Sequence, residues 1–148
     1  AEKFYQKYSP DLKGEHVEDT INYTQACLHL ARGNYLTALE FINKHDPFLV
    51  YNKVNFRILK LLALYELNRW EEFGLLVDST RQFVRSTDLI SDVFRQRAIN
   101  FLNSVNRLFE AREKGSSNVD DIYKTIEADE NIIQRSWLIK KCLEASEK

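Results

Sequence analysis

Leu30-Ala31-Arg32-Gly33-Asn34-Tyr35, continued by Ala38, Leu39 and Ile42, and Tyr65-Glu66-Leu67-Asn68-Arg69-Trp70, continued by Phe73, Gly74 and Val77, are two versions of one pattern. Gly33 and Asn68 stand 35 residues apart. In each copy an apolar helical stretch meets a residue that tolerates the left-handed region, which closes a helix at its C′ position. An aromatic residue two positions later plugs the turn. Apolar residues at three-four spacing then pack a second helix back on the first. The pattern is a helical hairpin, used twice.

The helical period extends outward in both directions. Val17, Ile21, Thr24, Leu28 and Ala31 step by four and three, with Tyr23, Cys27 and Leu30 beside them, and predict a helix from Glu15 to Arg32. A second helix runs from Tyr35 through Ile42, and Pro47 forbids its continuation. The third, Lys53 to Leu67, is apolar on more than one side and so is expected to be central. Trp70, Phe73, Val77, Thr80 and Val84 mark a fourth helix. Ser91 is the expected N-cap of a long fifth helix to Lys114, with Phe94, Ala98, Phe101, Val105 and Leu108 as its stripe. Gly115-Ser116-Ser117 reads as a loop and Asn118 as the cap of a sixth helix, whose first turn holds Asp120 and Asp121. Asn131 is the expected cap of a last helix carrying Ile133, Trp137, Leu138, Cys142 and Ala145. Phe4 to Tyr8, before Ser9-Pro10, reads as the tail of a further helix. Phe48 to Tyr51 is a short apolar connector, and nothing alternates with period two for long. The fold class is all-α.

Composition agrees. The 148 residues are 44% hydrophobic and 29% charged, enough to bury a core. Four Gly and two Pro are too few for a many-stranded sandwich or a glycine-looped nucleotide fold. No apolar run reaches the roughly 18 residues of a membrane span. The net charge of −1 gives no global attraction for nucleic acid or an anionic membrane. Cys27 and Cys142 form no motif, which fits a reducing, cytoplasmic setting. The chain opens at Ala1 and contains no Met, so it reads as a domain excised from a longer polypeptide.

The segment from Ala26 through Gly33-Asn34-Tyr35 to Ala38-Leu39 resembles a tetratricopeptide repeat, whose period is about 34 residues. The resemblance covers the first half of the chain. In the second copy Leu61 and Phe73 stand where the family has small residues, which implies a wider or differently angled hairpin. Tyr51-Asn52-Lys53-Val54, Tyr65-Glu66-Leu67 and Trp137-Leu138 are also similar to a group of uncharacterised bacterial helical-repeat proteins. The resemblance implies a right-handed α-α superhelix of about three hairpins plus a C-terminal helix, in a single domain spanning 1–148. Repeat one would cover about 15–46, repeat two about 51–86, an irregular third about 91–128 and the last helix about 131–146. In such repeats the first helices line a concave surface. Carried over, its positions are Thr20, Tyr23, Cys27 and Leu30, then Asn55, Ile58, Leu62 and Tyr65, an apolar trough for a partner segment if it is open. The same residues are equally suited to burial by the chain's own helices.

No residue pattern points to a reaction. The histidines are His16, His29 and His45, without zinc spacing, and Cys27 and His29 face different ways on one helix. Asp120-Asp121 and Asp129-Glu130 are adjacent pairs that diverge by about 100° on a helix, and helix-start capping explains them. From Arg81 to Lys114 seven basic residues oppose four acidic ones, with Phe83, Phe94, Phe101 and Phe109 interleaved. That stretch is the basis for an alternative, an RNA-binding helical repeat. A solvated basic face over a packed core is the simpler account. The expectation is a protein–protein interaction or scaffolding module, not an enzyme, with no cofactor and no metal. Its partner would be a protein, a peptide or the upstream part of the same chain. A helical accessory domain of an enzyme encoded upstream is the further alternative.

Overall fold

The computed structural model describes residues 13–44, 46–114 and 119–146. The side chains of His16 and His45, the Phe4–Tyr8 stretch, the Gly115-Ser116-Ser117 loop and the Asn118 cap lie outside the described residues. Seven helices occur among the described residues: α1 Lys13–Ala31, α2 Tyr35–Ile42, α3 Val50–Glu66, α4 Trp70–Ser86, α5 Asp92–Lys114, α6 Val119–Ala128 and α7 Arg135–Ser146. No described residue lies in a strand, so the chain is all-α. It divides into two compact units, Ala1–Leu76 and Val77–Lys148, the division falling within α4.

In the first unit α1, α2 and α3 pack on one another. The α1–α2 turn closes as the sequence requires. Gly33 has φ +79°. Its N–H donates to the Leu30 carbonyl at 3.2 Å, and the Asn34 N–H donates to the His29 carbonyl at 2.8 Å. Asn68 repeats this with φ 58°. Its N–H reaches the Tyr65 carbonyl at 3.2 Å, and the Arg69 N–H reaches Leu64 at 3.0 Å. Both turns therefore satisfy the helix-end carbonyls with the same pair of bonds.

A Cβ built on Gly33 meets nothing within 4 Å, so only the left-handed backbone opposes a side chain there. Gly33→Ala is expected to cost about 1–2 kcal/mol in denaturant unfolding. Gly33→Asn should cost less, because asparagine already holds the equivalent position at Asn68.

The core of this unit is α3. Val54, Phe56, Ile58, Leu59, Leu61, Leu62, Ala63, Leu64 and Tyr65 are all buried, which is what a helix apolar on more than one side demands. It starts at Val50, three residues before the expected Lys53. The extra turn begins right after Phe48 and Leu49, and the Lys53 N–H donates to the Leu49 carbonyl at 3.0 Å.

The larger correction concerns α1. Its helical period is as read, but its inward face is not Ile21, Thr24 and Leu28. Ile21 is 46% exposed and Leu28 39%, whereas Asp19, Asn22 and Ala26 are buried. The reason is a polar contact: Asn52 Nδ2 of α3 donates to Asp19 Oδ2 at 3.3 Å. A carboxylate with a partner can go inside, and the alanine beside it lets the helices approach. Tyr35 Oη donates to Glu66 Oε2 at 2.6 Å, tying the first turn to the end of α3.

In the second unit α5, α6 and α7 pack mutually. Ser91 caps α5 as expected, its Oγ accepting the Phe94 N–H at 3.1 Å. Ala98, Phe101, Leu102, Val105 and Leu108 of α5 are buried with Ile122, Ile126, Leu138 and Cys142. Asn131 does not cap α7, which begins at Arg135. Asp129 Oδ1 instead accepts the Asn131 N–H at 2.9 Å in a local turn. Ile132 is drawn into the core, and Gln134 at φ 58° redirects the chain before the helix starts. Asp129-Glu130 is therefore not a helix-start pair. It lies in the α6–α7 connection.

Candidate functional site

The eight residues expected to line a concave surface all lie in the first unit; Thr20 is half-buried, and the fold treats the other seven in two ways. Ile58, Leu62 and Tyr65 are 1%, 4% and 2% exposed. They are core residues, with the Tyr65 ring edge-on to Trp70 and Phe73 at centroid distances of 5.4 and 5.8 Å. Tyr23, Cys27, Leu30 and Asn55 are half-buried. Tyr23 stands edge-on to Phe56, with centroids 5.6 Å apart. These positions line no open trough with Ile58, Leu62 and Tyr65, because those three side chains are closed off.

Tyr23 and Cys27 hydrogen-bond one another one turn apart on α1. Burial, and then the neighbouring Cys27, push the Tyr23 phenol up to about 12. Burial raises the Cys27 thiol, and the Tyr23 hydrogen bond only partly offsets this. A raised thiol holds little thiolate near neutrality, so Cys27 is poorly suited to nucleophilic work.

The linkage has a definite sign. A phenol whose folded pKa is raised contributes stability that is fully present below its unfolded value near 10. That contribution is lost as pH climbs from there through about 12. Unfolding free energy should therefore fall across this window, and Tyr23→Phe should flatten that part of the curve.

His29 is accounted for structurally. Its ring stacks on Phe41 with centroids 5.5 Å apart and planes 10° apart, and the Asn34 amide lies 3.4 Å from its Nδ1. Asp120 and Asp121 are exposed in the first turn of α6, as anions near a helix start should be. No group of three or more His, Cys, Asp or Glu that could hold a metal occurs among the described residues.

The most developed polar feature is a groove in the second unit that the sequence reading missed. Asn100, Asn103, Ser104 and Arg107 recur along α5 at intervals of three, one and three, a complete helical stripe of polar side chains. With Arg81 and Asp129 they line an open cavity of about 470 Å³. Arg81 donates through Nη1 to Asn103 Oδ1. Asn100 Nδ2 donates to Asp129 Oδ2 at 3.3 Å and to the Asn131 carbonyl at 3.0 Å. Asp129 thus has one oxygen on the Asn131 backbone and the other on Asn100. The signal was present: asparagine is a weak helix former, costing about 0.6 kcal/mol against alanine. Asn100, Asn103 and Asn106 in the middle of one helix therefore need a reason.

The interleaved aromatics of this stretch do not form a stacking platform. Phe101 is fully buried, and Phe83, Phe94 and Phe109 are half-buried. Arg95 is also engaged, donating through Nη1 to the Val84 carbonyl with Asp92 3.8 Å from its Nε.

No protein-family model matches the chain, and no curated protein or solved structure matches it significantly. No helix among the described residues is long and apolar enough to cross a membrane.

Proposed function

We propose that this chain is a protein–protein interaction module, tetratricopeptide-like in its first unit and without reaction chemistry of its own. The observation that carries the reading is the α2–α3 connection. Phe48, Leu49 and Tyr51 are 56%, 38% and 39% exposed within four consecutive residues. Aromatic and aliphatic groups held in water on a short connector and the first turn of α3 favour contact with another protein, where such rings act as anchors. The Lys53–Asp46 ion pair at 2.8 Å supplies a charged border beside them. The paired turns at Gly33 and Asn68 support reading the two hairpins as consecutive superhelical repeats. Two free thiols, Cys27 and Cys142, support a reducing compartment as the setting.

The test is site-specific photo-crosslinking in cells of the source organism. A photoreactive residue at position 48 should give a discrete protein adduct that the same probe at the exposed position 82 does not. Phe48→Asp should weaken that partner's binding while shifting stability by no more than about 0.5 kcal/mol. Absence of an adduct at 48, or identical adducts at 48 and 82, would overturn the proposal.

A further inference from the structure

We infer that the α5 groove of the second unit binds a small soluble phosphate monoester. Charge points to it, independently of the protein-interaction reading. Arg81 and Arg107 line one cavity on either side of Asn103, and Asp129 is its acidic member. Asp129 is already engaged by Asn100 and the Asn131 N–H. Among the described residues neither arginine forms an ion pair with it. Arg81 is held, among the described residues, by the neutral Asn103 amide. Arg107 is exposed and makes no hydrogen bond or ion pair among the described residues. Two guanidinium groups therefore line one space, most of their donors make no bond among the described residues, and a guanidinium has no acceptor to offer a cation.

The rest of the lining suits the body of such a ligand. Asn103 and Asn106 bring amides that donate and accept toward sugar-like or glycerol-like hydroxyls, and Thr125, whose own O–H goes to the Asp121 carbonyl at 2.9 Å, adds an acceptor oxygen. Ile132 supplies an apolar wall. A volume of about 470 Å³ is that of a small-molecule site rather than a channel for a polymer. A tetrahedral dianion has three oxygens to share between two forks, which favours phosphate over a carboxylate with two.

The experiment is titration of the purified 148-residue chain at constant ionic strength, read by amide chemical shifts and calorimetry. Inorganic phosphate and glycerol 3-phosphate are the probes, with acetate and chloride as controls. Saturable binding is expected, with the ester tighter than inorganic phosphate and the largest shifts at residues 103–107. Arg107→Gln, at an exposed site with no hydrogen bond or ion pair among the described residues, should weaken binding at least tenfold. Arg85→Gln, outside the groove, should leave it unchanged. Arg81→Gln should also weaken it, and if that variant fails to fold the Arg107 result decides. Non-saturable shifts, acetate equal to phosphate, or wild-type binding by Arg107→Gln would each overturn the inference.

Discussion

Replacing Tyr65 with alanine is expected to lower the unfolding free energy by about 3–5 kcal/mol. Tyr65 is 2% exposed and packs edge-on to both Trp70 and Phe73, which themselves meet at 6.1 Å. Removing its ring deletes one of the largest fully buried side chains and opens a cavity beside Trp70 and Phe73 of α4. At this chain length the loss corresponds to a fall in Tm of roughly 10 °C or more. The outcome separates two accounts of the residue. A groove-lining tyrosine would leave stability within about 0.5 kcal/mol of wild type and act only on a partner. Denaturant unfolding measures the difference directly.

Phe101→Ala should be similarly costly, about 3–5 kcal/mol, and it speaks to the basic stretch from Arg81 to Lys114. Phe101 is fully buried between helical turns that also bury Ala98, Leu102 and Val105. A ring that stacks on a nucleobase has to present its face to solvent, and its removal weakens RNA binding by about 1–3 kcal/mol per base without unfolding the protein. Loss of fold on Phe101→Ala, with a smaller loss for the half-buried Phe83→Ala, is the result expected of core packing. Unchanged stability at Phe101 would revive the RNA reading.

The groove and the core share α5, and the helix shows how one element serves both. Its apolar stripe closes on α6 and α7, while the stripe through Asn100, Asn103 and Arg107 stays wet. Ser104 lies between, 7% exposed, at the seam of the two faces. Cys142 in the same unit is pushed up to about 11 by burial, with Arg107 opposing that shift. Burial thus leaves this thiol protonated near neutrality.

The all-helical class, the two hairpin turns and the central place of α3 were legible in the residues alone. Each rests on local chemistry: a left-handed position suits Gly33 or Asn68, and a helix apolar on more than one side has to be enclosed. The inward face of α1 was not legible, because a buried Asp19 counts as an outward residue until Asn52, thirty-three positions on, is known to meet it. The start of α7 was hidden likewise, since the Asp129 turn and the left-handed Gln134 carry the chain four residues past Asn131 before the helix begins at Arg135. The candidate groove needed Arg81, Arg107 and Asp129 brought together from three segments, which periodicity along one helix does not reveal. Sequence determines where a chain turns and which stretches coil. Only tertiary structure decides which polar groups find partners, and so which of them can leave water.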